Sequence, residues 1–227
     1  MANLSFDDAI RVGEPHELLA FRRDDPTAAP RIPTSGEPRG LALRRLTVTG
    51  RWDRLWSFLR LRKQIYFLSV AFDISAERPV VLPPRDLPRE AVHQVVPGQS
   101  IEFTLGLGAP LFPPRPITGG LLLYITVCEA DRGLRHTGEV LAQIHDDLGE
   151  DDSVATVIAR LAASPTQTAV TEVMKAATAA LQPVATILKN NQDDCVGLFS
   201  GIFPANGPWD DKLRSESSGT TIELAEL

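Results

Sequence analysis

The stretch Leu121-Leu122-Leu123-Tyr124-Ile125-Thr126-Val127-Cys128-Glu129-Ala130-Asp131 decides the fold. Its apolar part is far too short to cross a bilayer and carries no charge before Glu129, as a strand buried in a sheet does. Gly119-Gly120 leads into it, and two acids close it. We therefore read residues 121–128 as a central strand that ends at a polar, acidic turn.

Working back toward the N-terminus, Gly106 to Pro116 holds Pro110, Pro113, Pro114 and Pro116 and reads as a loop. The turn Pro97-Gly98-Gln99 opens a strand over Ser100–Leu105, and a proline-rich connector runs from Pro79 to Pro97. Gln64 to Ser75 is the clearest β segment. There Ile65, Phe67, Ser69, Ala71 and Asp73 alternate with Tyr66, Leu68, Val70, Phe72 and Ile74. Leu41 to Gly50 is a further strand ending at a glycine. Between these two, Arg51 to Arg60 is a loop or short helix, with Trp52, Trp56 and Leu59 on one helical face. Core packing is the ordinary role of such tryptophans, and the flanking arginines add a membrane-wedge alternative. Residues 1–38 read as an irregular N-terminal arm with a short turn of helix or strand at His16–Phe21.

Working forward from Asp131, the period changes to that of helices. Thr137 can cap a first helix carrying Val140, Leu141, Ile144 and Leu148, with Gly149 as its stop. Asp152 or Ser153 can start a second, and Ser164-Pro165 a third that Pro183 should kink. Strand patterns then return at Cys195–Phe203 and Thr220–Leu227. Strands flanking a helical block predict a mainly β protein: an antiparallel β-sandwich with an inserted block of about three α-helices. The expected division is 1–38 arm, 39–131 first part of the sandwich, 132–189 helical insertion and 190–227 last strands.

A second acidic element, Asn190-Asn191-Gln192-Asp193-Asp194-Cys195-Val196-Gly197, precedes the returning strand. Together with Val127-x-Glu129-x-Asp131 it resembles the third metal-binding loop of C2 domains. In that loop a strand ends in an acid-x-acid pair, and Asp-Asp-aromatic-aliphatic-Gly opens the next strand. Here the first acid is Glu129, Cys195 stands at the aromatic position, and the helical block separates the two halves. Asp53 falls where that family's first acidic loop would be. The resemblance covers residues 40–131 and 189–227. It implies an eight-stranded C2-like sandwich that binds a partner protein, an anionic membrane or Ca²⁺. Asp53, Glu129, Asp131, Asp193 and Asp194 are then the metal ligands. Ca²⁺ requires several such oxygens converging at about 2.3–2.6 Å. Read without the family, the same residues are ordinary polar turns.

Other chemistry is sparse. No nucleophile elbow, P-loop, dinucleotide fingerprint or zinc-protease motif is present. His145-Asp146-Asp147 contains a His-Asp pair, but His136 lies about two and a half turns away on the same helical pattern. Cys128, Cys195, His136 and His145 lack zinc-site spacing. A non-catalytic binding module is the leading expectation. A metal-dependent hydrolase using the acidic cluster, or a self-assembling structural subunit, are the alternatives.

A net charge of −6 argues against general nucleic-acid binding. Charge is nonetheless segregated. Arg39, Arg44, Arg45, Arg51, Arg54, Arg60, Arg62 and Lys63 face only Asp53, whereas the stretch from Glu129 to Asp152 is acidic. This suggests two solvated faces, or a basic surface for an anionic partner. Arginine outnumbers lysine 19 to 4, a bias better explained by GC-rich coding than by guanidinium chemistry. Cys128 and Cys195 lie in or beside apolar strands and read as buried thiols. A disulfide between them would tie the two acidic segments together, a pairing that sequence alone does not fix. Met1 to Asp8 lacks a basic and apolar leader, so the expectation is a soluble, cytoplasmic protein, with leaderless export or peripheral membrane association as variants.

Overall fold

The computed structural model describes residues 10–12, 33–49, 62–73, 80–82, 92–96, 98–103, 108–130, 194–210, 213–217 and 219–227. They form eleven strands: β1 Ile10–Val12, β2 Arg39–Val48, β3 Lys63–Phe72, β4 Val80–Leu82, β5 His93–Val95, β6 Ser100–Glu102, β7 Ala109–Arg115, β8 Gly120–Glu129, β9 Asp194–Pro204, β10 Arg214–Ser217 and β11 Thr220–Glu226. One sheet has the order β1-β9-β8-β3-β4, with β5 also on β3; the other has β10-β11-β2-β6, with β7 also on β2. Every pairing is antiparallel except β1 on β9, which is parallel. The mainly β, two-sheet architecture agrees with the sandwich read from the sequence. The expected helices over 132–189, and the turn at His16–Phe21, lie outside the described residues.

The core follows from alternation. Leu121, Leu123, Ile125 and Val127 of β8 and Ile65, Phe67 and Ala71 of β3 point at Leu41, Leu43, Leu46 and Val48 of β2 and at Ile222 and Leu224 of β11. Most of the intervening residues of the six-stranded sheet are apolar as well. Tyr66, Leu68, Val70, Phe72, Leu122, Tyr124, Cys128, Leu198 and Ile202 are all buried. A sheet buried on both faces carries chain on both sides. Among the described residues only one covering, the five-stranded sheet, is seen.

Four parts of the chain differ from the sequence reading. Residues 109–115, expected as a loop because of their prolines, form β7 and pair with β2. Pro110, Pro113 and Pro114 are exposed and β7 lies at a sheet edge, where a missing N–H costs no ladder bond. The connector 79–97 contains β4 and β5, each of three residues. Two further strands had no local pattern to announce them: β1 in the arm, and β10, which pairs with β11.

The sandwich is sealed along the outer edge of β9. The Leu198 N–H donates to Ser217 Oγ at 3.1 Å, and Thr220 Oγ1 donates to the Val196 carbonyl at 2.8 Å. Side chains of the β10–β11 hairpin thus take up two backbone groups that an open edge strand leaves unpaired.

The two ends differ. At the Trp209 end, buried Asp73 accepts the Thr118 N–H at 3.0 Å and lies 3.5 Å from Arg115. Ser35 Oγ accepts the Ile117 N–H, and the Trp209 indole N–H donates to the Pro204 carbonyl. At the opposite end, Gly98 and Gln99 bond the two backbone groups of Val48, and the Thr49 N–H donates to the Gly219 carbonyl. Gly98 makes that turn with φ of 86°, a conformation side-chain-bearing residues rarely adopt. Because β5 pairs with Lys63–Ile65 and β6 with Arg45–Thr47, the short 96–99 connection fixes Lys63 and Val48 at the same end.

Candidate functional site

The Lys63 end gathers the segments that the sequence marks out. The chain leaves β2 after Thr49 and re-enters the described residues at Arg62, so the 50–61 segment, with its arginines and tryptophans, is rooted here. It leaves β8 after Ala130 and returns at Asp194, and Glu129 and Asp194 are direct register partners. The two acidic half-motifs, far apart in sequence, therefore begin side by side. The ladder continues inward as Cys128↔Cys195 and Val127↔Gly197, with an irregularity between Val127 and Cys128. Gly197 fits that bulge because a Cβ there would stand 3.0 Å from Thr220 Cβ and 3.0 Å from the Phe199 ring.

Glu129 is buried and committed. Lys63 Nζ lies 2.6 Å from its Oε1 and 2.7 Å from its Oε2. Glu129 faces Ile65 across β3–β8, which makes Lys63 its diagonal neighbour. With an ammonium against both oxygens, Glu129 does not fit a Ca²⁺ site in this arrangement. Of the other expected ligands, Asp53, Asp131 and Asp193 lie outside the described residues. Asp194 is placed by its backbone alone. Among the described residues no group of three or more His, Cys, Asp or Glu side chains stands close enough to hold a metal ion. His136 and His145 also lie outside the described residues.

The described members of the Arg39–Lys63 run do not form one basic surface; Arg51, Arg54 and Arg60 lie outside the described residues. Arg39 is at the Trp209 end, ion-paired to Glu226 at 2.6 Å. Arg45 reaches Glu102 and Glu223 across the five-stranded sheet at 2.9 and 3.1 Å. Lys63 is at the other end, on Glu129. Arg44 and Arg62 remain exposed. The sequence offered no signal for the Lys63–Glu129 pair, because it depends on a register between strands distant in the chain.

His93 sits beside this end on β5, edge-on to the Phe103 ring at 5.3 Å. Burial lowers its pKa below the ordinary imidazole value. A cavity between the sheets, lined by Leu123, Phe199, Gly201, Phe203, Ile222 and Leu224, has room for about 10 Å³. That is the size of one water at most; the lining is mostly apolar, with Ser200 and Ser215 as its polar members, and leaves no room for a substrate. No helix among the described residues is long and apolar enough to cross a membrane.

No family model matches this chain, and no curated protein and no solved structure does.

Proposed function

We propose that this protein is a non-catalytic binding module that uses the sandwich as a rigid mount for its Lys63 end. One observation carries the reading. The roots of the 50–61 and 131–193 segments, at Thr49, Arg62, Ala130 and Asp194, share one end, while the Trp209 end is closed by its own hydrogen bonds. Recognition residues sit on loops positioned by a stable scaffold in many proteins. The occupant is a partner protein or an anionic membrane surface, the latter favoured by the arginines and tryptophans of 51–60. Ca²⁺ enters as a cofactor only if Asp53, Asp131, Asp193 and Asp194 converge without Glu129. The C2-like reading of the sandwich supports the same use of one end.

The test uses vesicles of phosphatidylcholine with and without phosphatidylserine, and chemical cross-linking of the intact protein to candidate partners. Two variants are compared with the parent: Arg51, Arg54 and Arg60 changed to Ser, and residues 132–192 replaced by a Gly-Ser linker. Loss of binding in either, with the unfolding midpoint retained, supports the reading. Undiminished binding in both overturns it.

A further inference from the structure

We infer that Cys128 and Cys195 form a reversible disulfide that fastens the two roots of the 131–193 segment together. The two residues are direct partners in the β8–β9 ladder, one rung inside Glu129↔Asp194. Directly opposed residues of an antiparallel pair have Cα atoms about 4.5 or 5.5 Å apart, according to whether the rung is hydrogen-bonded. Both separations fall within the roughly 4.4–6.8 Å that disulfides span. A rung of ordinary antiparallel spacing here would thus place the two positions within bonding range. This is a different relationship from two cysteines that happen to share a core.

The irregularity between Val127 and Cys128 adds to the argument. It places one unpaired residue, Val196, between the Cys195 rung and the Gly197 rung. A bulge at the last rungs of a ladder raises the local twist and weakens its pairing, so this is where the ladder would fray first. A covalent link at the same rung counters that fraying. It also closes a loop that contains the whole 131–193 segment, and long loops are where a cross-link most restricts the unfolded chain. Cys128 is fully buried. A bond formed there is shielded from small reductants, while its formation requires folding or transient opening in the presence of an oxidant.

The reaction balances with glutathione disulfide as oxidant. One cysteine thiolate attacks a glutathione sulfur, forming a mixed disulfide and releasing one glutathione thiolate. The second cysteine thiolate attacks the protein sulfur of that mixed disulfide, forms the Cys128–Cys195 bond and expels the second glutathione. Two thiol protons and two electrons leave the protein, and one glutathione disulfide becomes two glutathiones. The inference is independent of the binding role proposed above.

The test is made on the full chain. The folded protein, and protein refolded from denaturant, are equilibrated with mixtures of oxidised and reduced glutathione, quenched with acid and alkylated after denaturation. The expected result is a mass loss of two hydrogens, disappearance of both alkylation sites together, and a peptide pair joined through Cys128 and Cys195. The oxidised form should unfold several degrees above the reduced form, and C128A and C195S should each abolish that difference. Two alkylatable thiols, or a glutathione adduct on either cysteine with no internal bond, in protein with native circular dichroism, would overturn the inference. So would an oxidised form that unfolds below the reduced one, since the link would then oppose the observed ladder. The single-thiol variants need not fold well for the mass measurement on the parent to decide the question.

Discussion

The Arg39 guanidinium lies over the Trp209 ring, its Cζ 3.8 Å from the centroid, and its Nε is 2.6 Å from Glu226. Its Nη1 also donates to the carbonyls of Pro204 and Ala205 at 3.2 and 3.1 Å. One mostly buried side chain thus joins the start of β2, the end of β11 and the turn after β9. R39A removes a desolvated cation–π contact and several charge-assisted bonds at once, so a loss of about 2–4 kcal/mol is expected. R39K keeps the charge but not the planar fork and should recover less than half of it. Urea denaturation of the two variants checks this. A midpoint shift in R39A no larger than that of an exposed arginine such as Arg44 would show that the contact is energetically idle.

The seal along β9 makes a separate prediction. S217A leaves the buried Leu198 N–H without its acceptor, and T220V takes the donor from the Val196 carbonyl while keeping the side-chain shape. Each should cost about 1–2 kcal/mol. Because both act on the same edge, the double variant should depart from the sum of the two singles. Denaturation midpoints of the two singles and the double check both expectations.

His93 predicts a pH dependence whose sign is fixed by its burial. Its folded-state pKa is lowered from the ordinary value of 6.5, so below that value the unfolded chain takes up the proton more readily. The stability that depends on neutral His93 is fully present above pH 6.5. It is lost as the pH falls from there through the lowered folded value. H93Q should flatten this part of the profile, whatever its own cost from losing the Phe103 contact. Urea midpoints taken from about pH 8 down to about pH 5 give the comparison, and an unchanged slope in H93Q would assign the loss to other groups.

How much of this could be read from the sequence depended on whether the signal was local. Residues 64–75, 121–128, 195–203 and 220–227 were readable as strands because their apolar residues follow the pleat or run unbroken, and the structure places β3, β8, β9 and β11 there. β7 was missed because Pro110, Pro113 and Pro114 argue against a ladder, an argument that fails at an edge. β4, β5 and β1 are three residues each, too short for any period to show. At the candidate site, the sequence offers the two acidic elements only as halves of a resembled motif, and it is the register Glu129↔Asp194 that sets them side by side. The Lys63 partner of Glu129 was not. Lys63 read as the end of a basic run, and only the register Ile65↔Glu129 shows that it meets an acid.

That ion pair yields the last prediction. Removing one member takes from the other its close ion pair in a largely buried place, so E129A and K63A should each cost about 2–4 kcal/mol, whereas K63M with E129L should cost much less than the sum. The same pairing bears on calcium. A cation approaching Glu129 must first displace the Lys63 ammonium, so Ca²⁺ in excess over EDTA is expected to leave the unfolding midpoint of the parent protein unchanged. Any ligand specific to the folded state would raise it by mass action. A clear rise, abolished by D193N together with D194N, would show that the remaining carboxylates form a site without Glu129. In that event K63M should strengthen the response, because Glu129 is then released to join them.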